Sequence, residues 1–142
     1  MLKLFVYKNP NPNFFHVGDC VIRAISVITG KSWERIYSEL AVKGLQMYDM
    51  PSSNIVWGAY LSDLGYVKDV LPCDYPNCFT VAEFCKNNPQ GEYILSTGSH
   101  VIAVRNGDYF DIWDSGGETP TYFFYKPEDN AETENGAEKG VK

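Results

Sequence analysis

Gly18-Asp19-Cys20-Val21-Ile22-Arg23-Ala24-Ile25-Ser26, running on through Val27, Ile28 and Thr29 to Gly30, is the stretch on which the reading of the fold turns. From Cys20 to Thr29 almost every residue is apolar. Val21, Ile25 and Ile28 share one face, and Ile22, Ala24 and Val27 widen it most of the way round. A helix apolar on nearly all sides is a core helix. Gly18 permits a tight approach, Asp19 is a good N-cap, and Gly30 is a natural left-handed C-terminal residue. Cys20 falls at the first helical position, where unpaired backbone N–H groups and the helix dipole favour a thiolate. The alternative reading of the same residue is a buried cysteine that only fills space.

Upstream, Leu2 to Tyr7 reads as a short strand, followed by the turn-forming run Asn9-Pro10-Asn11-Pro12-Asn13, which delivers Phe14 and Phe15 to the core. Downstream, Ser32 caps a second helix carrying Trp33, Ile36, Tyr37, Leu40 and Ala41 at helical spacing, with Gly44 beyond its end. Residues 45–51 form a loop, and Ser52 or Ser53 caps a third helix through Leu64. Tyr66 to Leu71 reads as a strand. Thr80 and Glu83 make a capping box at the head of a short helix reaching about Lys86.

From Glu92 the pattern changes to short aromatic and β-branched strands, Tyr93–Thr97, Val101–Arg105, Tyr109–Trp113 and Tyr122–Tyr125. Asn106-Gly107 is the strongest hairpin signal in the chain. Helices first and an antiparallel meander second predict a two-layer α+β fold, with the Cys20 helix packed against the sheet. Residues 1–126 read as one domain. From Pro127 the sequence is acidic and polar without an aromatic residue, so 127–142 reads as a disordered tail.

His100 opens one strand of the meander, and the hairpin returns as Asp111-Ile112-Trp113-Asp114-Ser115. Nucleophilic cysteine chemistry needs a thiol at a helix head, an imidazole to hold its proton and a third group to orient that imidazole. All three types are present. A two-residue Asn106-Gly107 loop sets Arg105 opposite Asp108 and His100 opposite Trp113, which makes Asp111 the acid on the His100 face, one diagonal step away. Read without partners, His100, Asp111 and Asp114 are ordinary strand-end and turn residues. His16 is the rival histidine, but nothing in the pattern pairs it with a carboxylate.

Composition sets the remaining bounds. A chain of 142 residues that is 44% hydrophobic and 15% aromatic is globular. A net charge of −6, with no basic stripe, argues against nucleic acid as a partner. Residues 1–8 are too short and too charged for a signal peptide, and no apolar run approaches a membrane span. The expectation is a cytoplasmic protein with no membrane partner, its four cysteines (Cys20, Cys73, Cys78, Cys85) reduced. Cys73 and Cys78 lack the paired spacing of a zinc site, and no metal or other cofactor is expected. Oligomeric state is left open.

The order of a Cys at the start of a buried helix, a His opening a strand and an Asp past the returning strand resembles the papain-like cysteine peptidase superfamily. Within it, Gly18-Asp19-Cys20, Ala24, Gly30 and Leu40, with His100-Val101-Ile102-Ala103-Val104 and Asp114, resemble the bacteriocin-leader-processing peptidases. The likeness spans residues 18 to 115. Cys20-Val21-Ile22-Arg23-Ala24 also resembles the Cys-x-x-Arg-Ala segment of ovarian-tumour-type deubiquitinases, though not around the His. The resemblance implies Cys20 as nucleophile, His100 as general base and acid, and Asp114 as the orienting residue. A β-bulge would bring Asp114 opposite His100, with Trp113 covering the contact, and Asp114 is the expectation taken forward over Asp111.

Two positions depart from that pattern. Val21 stands where the leader peptidases have glycine, and Phe14 stands where the superfamily sets its oxyanion glutamine, leaving Asn13 as the amide for that role. The implied activity is a cysteine hydrolase acting on a peptide, isopeptide or other amide, or an acyl transferase, through a thioacyl intermediate, with a peptide or protein substrate. The alternatives are a papain-like fold without turnover that serves as a protein-binding module or inhibitor encoded by a mobile element, and a small structural protein in which Cys20 is simply buried.

Overall fold

The computed structural model describes residues 4–72 and 78–127. In chain order these form β1 (Phe5–Tyr7), α1 (Cys20–Thr29), α2 (Trp33–Met47), α3 (Asn54–Asp63), β2 (Val67–Val70), α4 (Val81–Asn87), β3 (Glu92–Ser96), β4 (Val101–Arg105), β5 (Asp108–Asp111) and β6 (Tyr122–Tyr125). The result is an α+β fold in which the strands make one mixed six-stranded sheet in the order β1-β5-β4-β3-β6-β2. All but one residue of the segment expected as a tail, 127–142, lie outside the described residues. Among the described residues no helix is long and apolar enough to cross a membrane.

The meander holds for β3, β4 and β5, which are antiparallel neighbours joined by tight turns. Beyond them the sheet departs from the sequence reading. β1 pairs with β5 in parallel, Phe5 against Tyr109, and takes the edge that a fourth meander strand would have used. β6 therefore crosses to the other side and pairs antiparallel with β3, and β2 pairs with β6. The layers differ too, because helices cover both faces. In β4, Val101 and Ala103 join the core under α1, α2 and α3, with Ile25, Ile36, Leu40, Trp57 and Leu61, while Ile102 and Val104 join a second core with Val81, Phe84 and Cys85 of α4. A strand alternates its side chains between two faces, so this apolar run of four is buried on both.

Three local expectations are corrected. α2 does not stop at Gly44 but continues to Met47, because the glycine lets the following loop fold back onto the helix. A Cβ at Gly44 would lie 2.8 Å from the Asp49 carbonyl oxygen and 3.1 Å from the Pro51 nitrogen. Phe14 and Phe15 are not delivered to the core but stand 74% and 59% exposed, because the loop is closed from inside by Asn9 and Asn11. The Asn11 carboxamide oxygen accepts from the N–H groups of Asn13 and Phe15, and Asn9 donates to the Phe15 carbonyl. Cys78 is disulfide-bonded, against the reading of four reduced cysteines, whereas Cys20 and Cys85 are free.

Candidate active site

Cys20 opens α1, and the helix is fixed there by the burial of Val21, Ala24, Ile25 and Ile28 beneath the sheet. Asp19 occupies the N-cap position yet makes no side-chain cap, because its carboxylate is drawn elsewhere. One oxygen pairs with the Arg23 guanidinium and the other accepts from the Trp33 indole N–H at 2.8 Å. The first N–H groups of α1 thus keep no side-chain acceptor from the cap, and Cys20 and Val21 line the groove at the helix head.

His100 is delivered by the turn between β3 and β4. Thr97 accepts from the His100 N–H through its hydroxyl at 3.1 Å, its own N–H donates to the His100 carbonyl at 2.9 Å, and Gly98 takes φ +101° to close the turn. Asn54, at the start of α3, donates to the Gly98 carbonyl at 3.2 Å and pins the turn from outside. The imidazole faces the Cys20 thiol in the groove on one side and acts on it to favour the thiolate. On the other, Nε2–H donates to Asp111 Oδ2 at 2.7 Å. With Nε2 committed to the acid, Nδ1 is the nitrogen left for the thiol. Trp113 lies over the ring, with centroids 5.1 Å apart and planes inclined by 31°.

The carboxylate beside His100 is therefore Asp111 and not Asp114. The observed register pairs Arg105 with Asp108 and Ala103 with Phe110. Continued by one pair it sets Ile102 opposite Asp111, and His100 reaches that residue on the diagonal. No bulge intervenes, because β5 ends at Asp111 and the chain turns away toward the head of α4. There the carbonyls of Gly116 and Glu118 accept from the N–H groups of Ala82 and Val81. Asp114 is carried with the turn. It is exposed, accepts from the Tyr109 hydroxyl and from the Gly116 N–H at 3.0 Å, and those bonds hold its carboxyl below the usual range.

Asn13 is likewise separated from the site. It is exposed, its N–H is spent on Asn11, and it does not line the groove. His16 pairs with the Tyr7 hydroxyl at 3.1 Å, away from any of these groups.

Two participants went unassigned in the sequence. Arg23 is 5% exposed and reaches Asp111 Oδ1 at 3.0 Å while also holding Asp19. Ser115, fully buried, donates to Asp111 Oδ2 at 2.6 Å. Arg23 had a legible signal, a lone charge in the middle of an otherwise apolar helix, which is buried only when paired. Ser115 had none, since a serine beside two glycines reads as a turn.

The electrostatics follow from these partners. Burial alone would raise the Cys20 thiol. The hydrogen bonds from His100 and from the Val101 backbone N–H, together with the charges of His100 and Arg23, outweigh it and bring the thiol below its ordinary value. Burial would likewise lower His100, but its hydrogen bonds to Asp111 and Cys20 and their negative charges raise it to about 9. Asp111 resists the upward push of burial through His100, Ser115 and the Ile112 N–H, and stays below the usual carboxylate range. Such a set favours a thiolate beside an imidazolium. Comparison with family models, with curated proteins and with solved structures finds no match. The chemistry must accordingly be argued from the site itself.

Cys20 and His100 open onto a groove of about 880 Å³, lined also by Val17, Tyr37, Pro51, Asn54, Ser99 and Trp113. That volume is of the size that takes a peptide segment or a small ligand. A thiol with an imidazole beside it and N–H groups at a helix head are the kinds of group that acyl transfer uses.

Proposed function

We propose that this protein is a cysteine hydrolase of the papain-like type that cleaves an amide in a peptide or protein, using Cys20, His100 and Asp111. The observation that carries the reading is the placing of Cys20 and His100 in one groove, with Cys20 at the head of a buried helix and the far side of the imidazole held at 2.7 Å by the buried Asp111. The Cys20 thiolate adds to the amide carbonyl, and the backbone N–H groups at the start of α1 stabilise the oxyanion. As the C–N bond breaks, His100 gives its proton to the departing amine, leaving a thioester on Cys20. Neutral His100 then takes a proton from water, which adds to the thioester carbonyl. Collapse releases the carboxylic acid and restores the thiolate–imidazolium pair. An acceptor amine in place of water makes the same cycle a transfer.

Asp111 keeps its charge throughout, holding Nδ1 toward the sulfur and favouring the cationic ring. Because Cys20 must be ionised and His100 protonated together, the active window lies above the lowered thiol value and below about 9. Turnover falls at the acid end as the thiolate takes a proton. It falls at the alkaline end as His100 loses the proton that the leaving amine needs.

A second reading is favoured by one feature, the exposed Phe14 at the position where the superfamily sets a side-chain amide. It makes the protein a binding module on the same scaffold, engaging a partner without turnover. The test is a library of amide and thioester peptides presented to the wild type and to Cys20→Ser, with intact-mass detection of an acyl adduct. An adduct and released product in the wild type only support hydrolysis. Binding of peptides without adduct, equal in both proteins, supports the module.

A further inference from the structure

Arg23 takes no direct part in the chemistry above, yet two carboxylates close on its guanidinium. It lies nearly one turn into α1 from Cys20 and is 5% exposed. Nη1 pairs with Asp19 Oδ1 and Nη2 with Asp111 Oδ1 at 3.0 Å. Removing such a charge from water is costly unless partners offset it, so a buried arginine in an apolar helix needs a reason. Two carboxylates on one guanidinium leave the group with one net negative charge. A protonated His100 neutralises it.

The carboxylate of Asp111 is also saturated. Oδ1 accepts from Arg23 at 3.0 Å and from the Ile112 N–H at 2.8 Å, and Oδ2 accepts from Ser115 at 2.6 Å and His100 at 2.7 Å. A carboxylate offers about four lone-pair sites, and all are taken. Asp111 cannot rotate without giving up bonds on both sides. Asp19 holds the other arm of the guanidinium in place and is itself anchored by the Trp33 indole.

We infer that Arg23 is a positioning residue of the Cys20–His100 pair, clamped by Asp19 so that it fixes Asp111 with one oxygen turned to His100. The inference rests on the reading of that pair as catalytic. It differs from a plain buried ion pair in predicting that Arg23→Met and Arg23→Lys shift the Cys20 pH profile by different amounts. The titratable and charged groups around the thiol are His100 from the turn before β4, Arg23 and Asp19 from α1 and its head, and Tyr37 of α2 across the groove, with Asp111 behind His100.

The experiment is the pH dependence of Cys20 alkylation by iodoacetamide in the full chain, read by peptide mass spectrometry, with melting temperature recorded alongside. Arg23→Met should move the acidic limb of the profile up by about one pH unit, and slow labelling at mildly acidic pH about tenfold, because a cation beside the thiolate and the clamp on Asp111 are both lost. Arg23→Lys, which keeps the charge and not the fork, should restore part of that shift. A folded Arg23→Met with the wild-type limb overturns the inference. So does an Arg23→Lys limb that returns fully to the wild-type position, since the charge without the fork would then suffice. Should Arg23→Met fail to fold, Arg23→Lys decides alone, a partial shift supporting the inference and a wild-type limb overturning it. A wild-type Cys20 that titrates as an ordinary thiol defeats the reading of the pair and takes this inference with it.

Discussion

Two free thiols sit on opposite faces of one sheet and face opposite fates. Cys20 heads α1 beneath one face, and Cys85 lies in α4 beneath the other, 1% exposed among Val81, Phe84 and Val104. Burial pushes both thiols up. At Cys85 nothing opposes it, and the charge of Asp108 adds to it, so the thiol rises to about 12. At Cys20 the hydrogen bonds from His100 and the Val101 N–H reverse the sign. What separates the two thiols here is therefore not depth but partners, and those partners are held by a turn, a strand end and a buried salt bridge.

The sharpest way to break this contrast is to remove His100. His100→Ala should leave Cys20 buried without its main compensation, and its alkylation at mildly acidic pH should fall on the order of a hundredfold, toward the inertness of Cys85. Mass-spectrometric labelling rates on the folded variant check it. Asp111→Asn should do less to the sulfur and more to the ring. With the negative charge gone, His100 loses one of the two partners that raise it to about 9, and the alkaline limb of turnover should move down by roughly one to two pH units. A folded Asp111→Asn with an unmoved alkaline limb would detach the acid from the site.

Much of this site was legible before the fold was known, and the place where the reading failed has a physical cause. The helix head at Cys20, the His at the mouth of a strand and the Asn106-Gly107 register are local signals, and that register made Asp111 the acid on the His100 face. The preference for Asp114 came from resemblance, and it required a bulge. What the sequence did not display is the pull of the α4 head on the Gly116 and Glu118 carbonyls, a contact between segments more than thirty residues apart that carries Asp114 away. The parallel pairing of β1 with β5 was hidden for the same reason, since three residues of strand carry no mark of their partner. Arg23 was visible as a misplaced charge, but its partner Asp111 lies 88 positions away.

Smaller effects sharpen the contrast from the other side. Cys85→Ser should place a hydroxyl in an apolar core and destabilise the protein by about 1–3 kcal/mol in denaturant unfolding, while leaving Cys20 labelling unchanged. Asp114→Ala should be the mildest of the set. It releases the Tyr109 hydroxyl and loosens the turn at Gly116, and Cys20 alkylation should stay within about twofold of wild type. A loss comparable to that of Asp111→Asn would reinstate Asp114 as the orienting acid.

The central claim is that Cys20 is held as a thiolate by His100 while Cys85 is held as a thiol by burial. The most direct measurement is time-resolved iodoacetamide labelling of the intact wild-type chain from mildly acidic to alkaline pH, with each cysteine quantified by peptide mass spectrometry. The account predicts that Cys20 is modified at mildly acidic pH with a midpoint well below that of an ordinary thiol, and that Cys85 is modified only after unfolding. Equal labelling of the two, or a Cys20 profile that rises only near the ordinary thiol value, would contradict it.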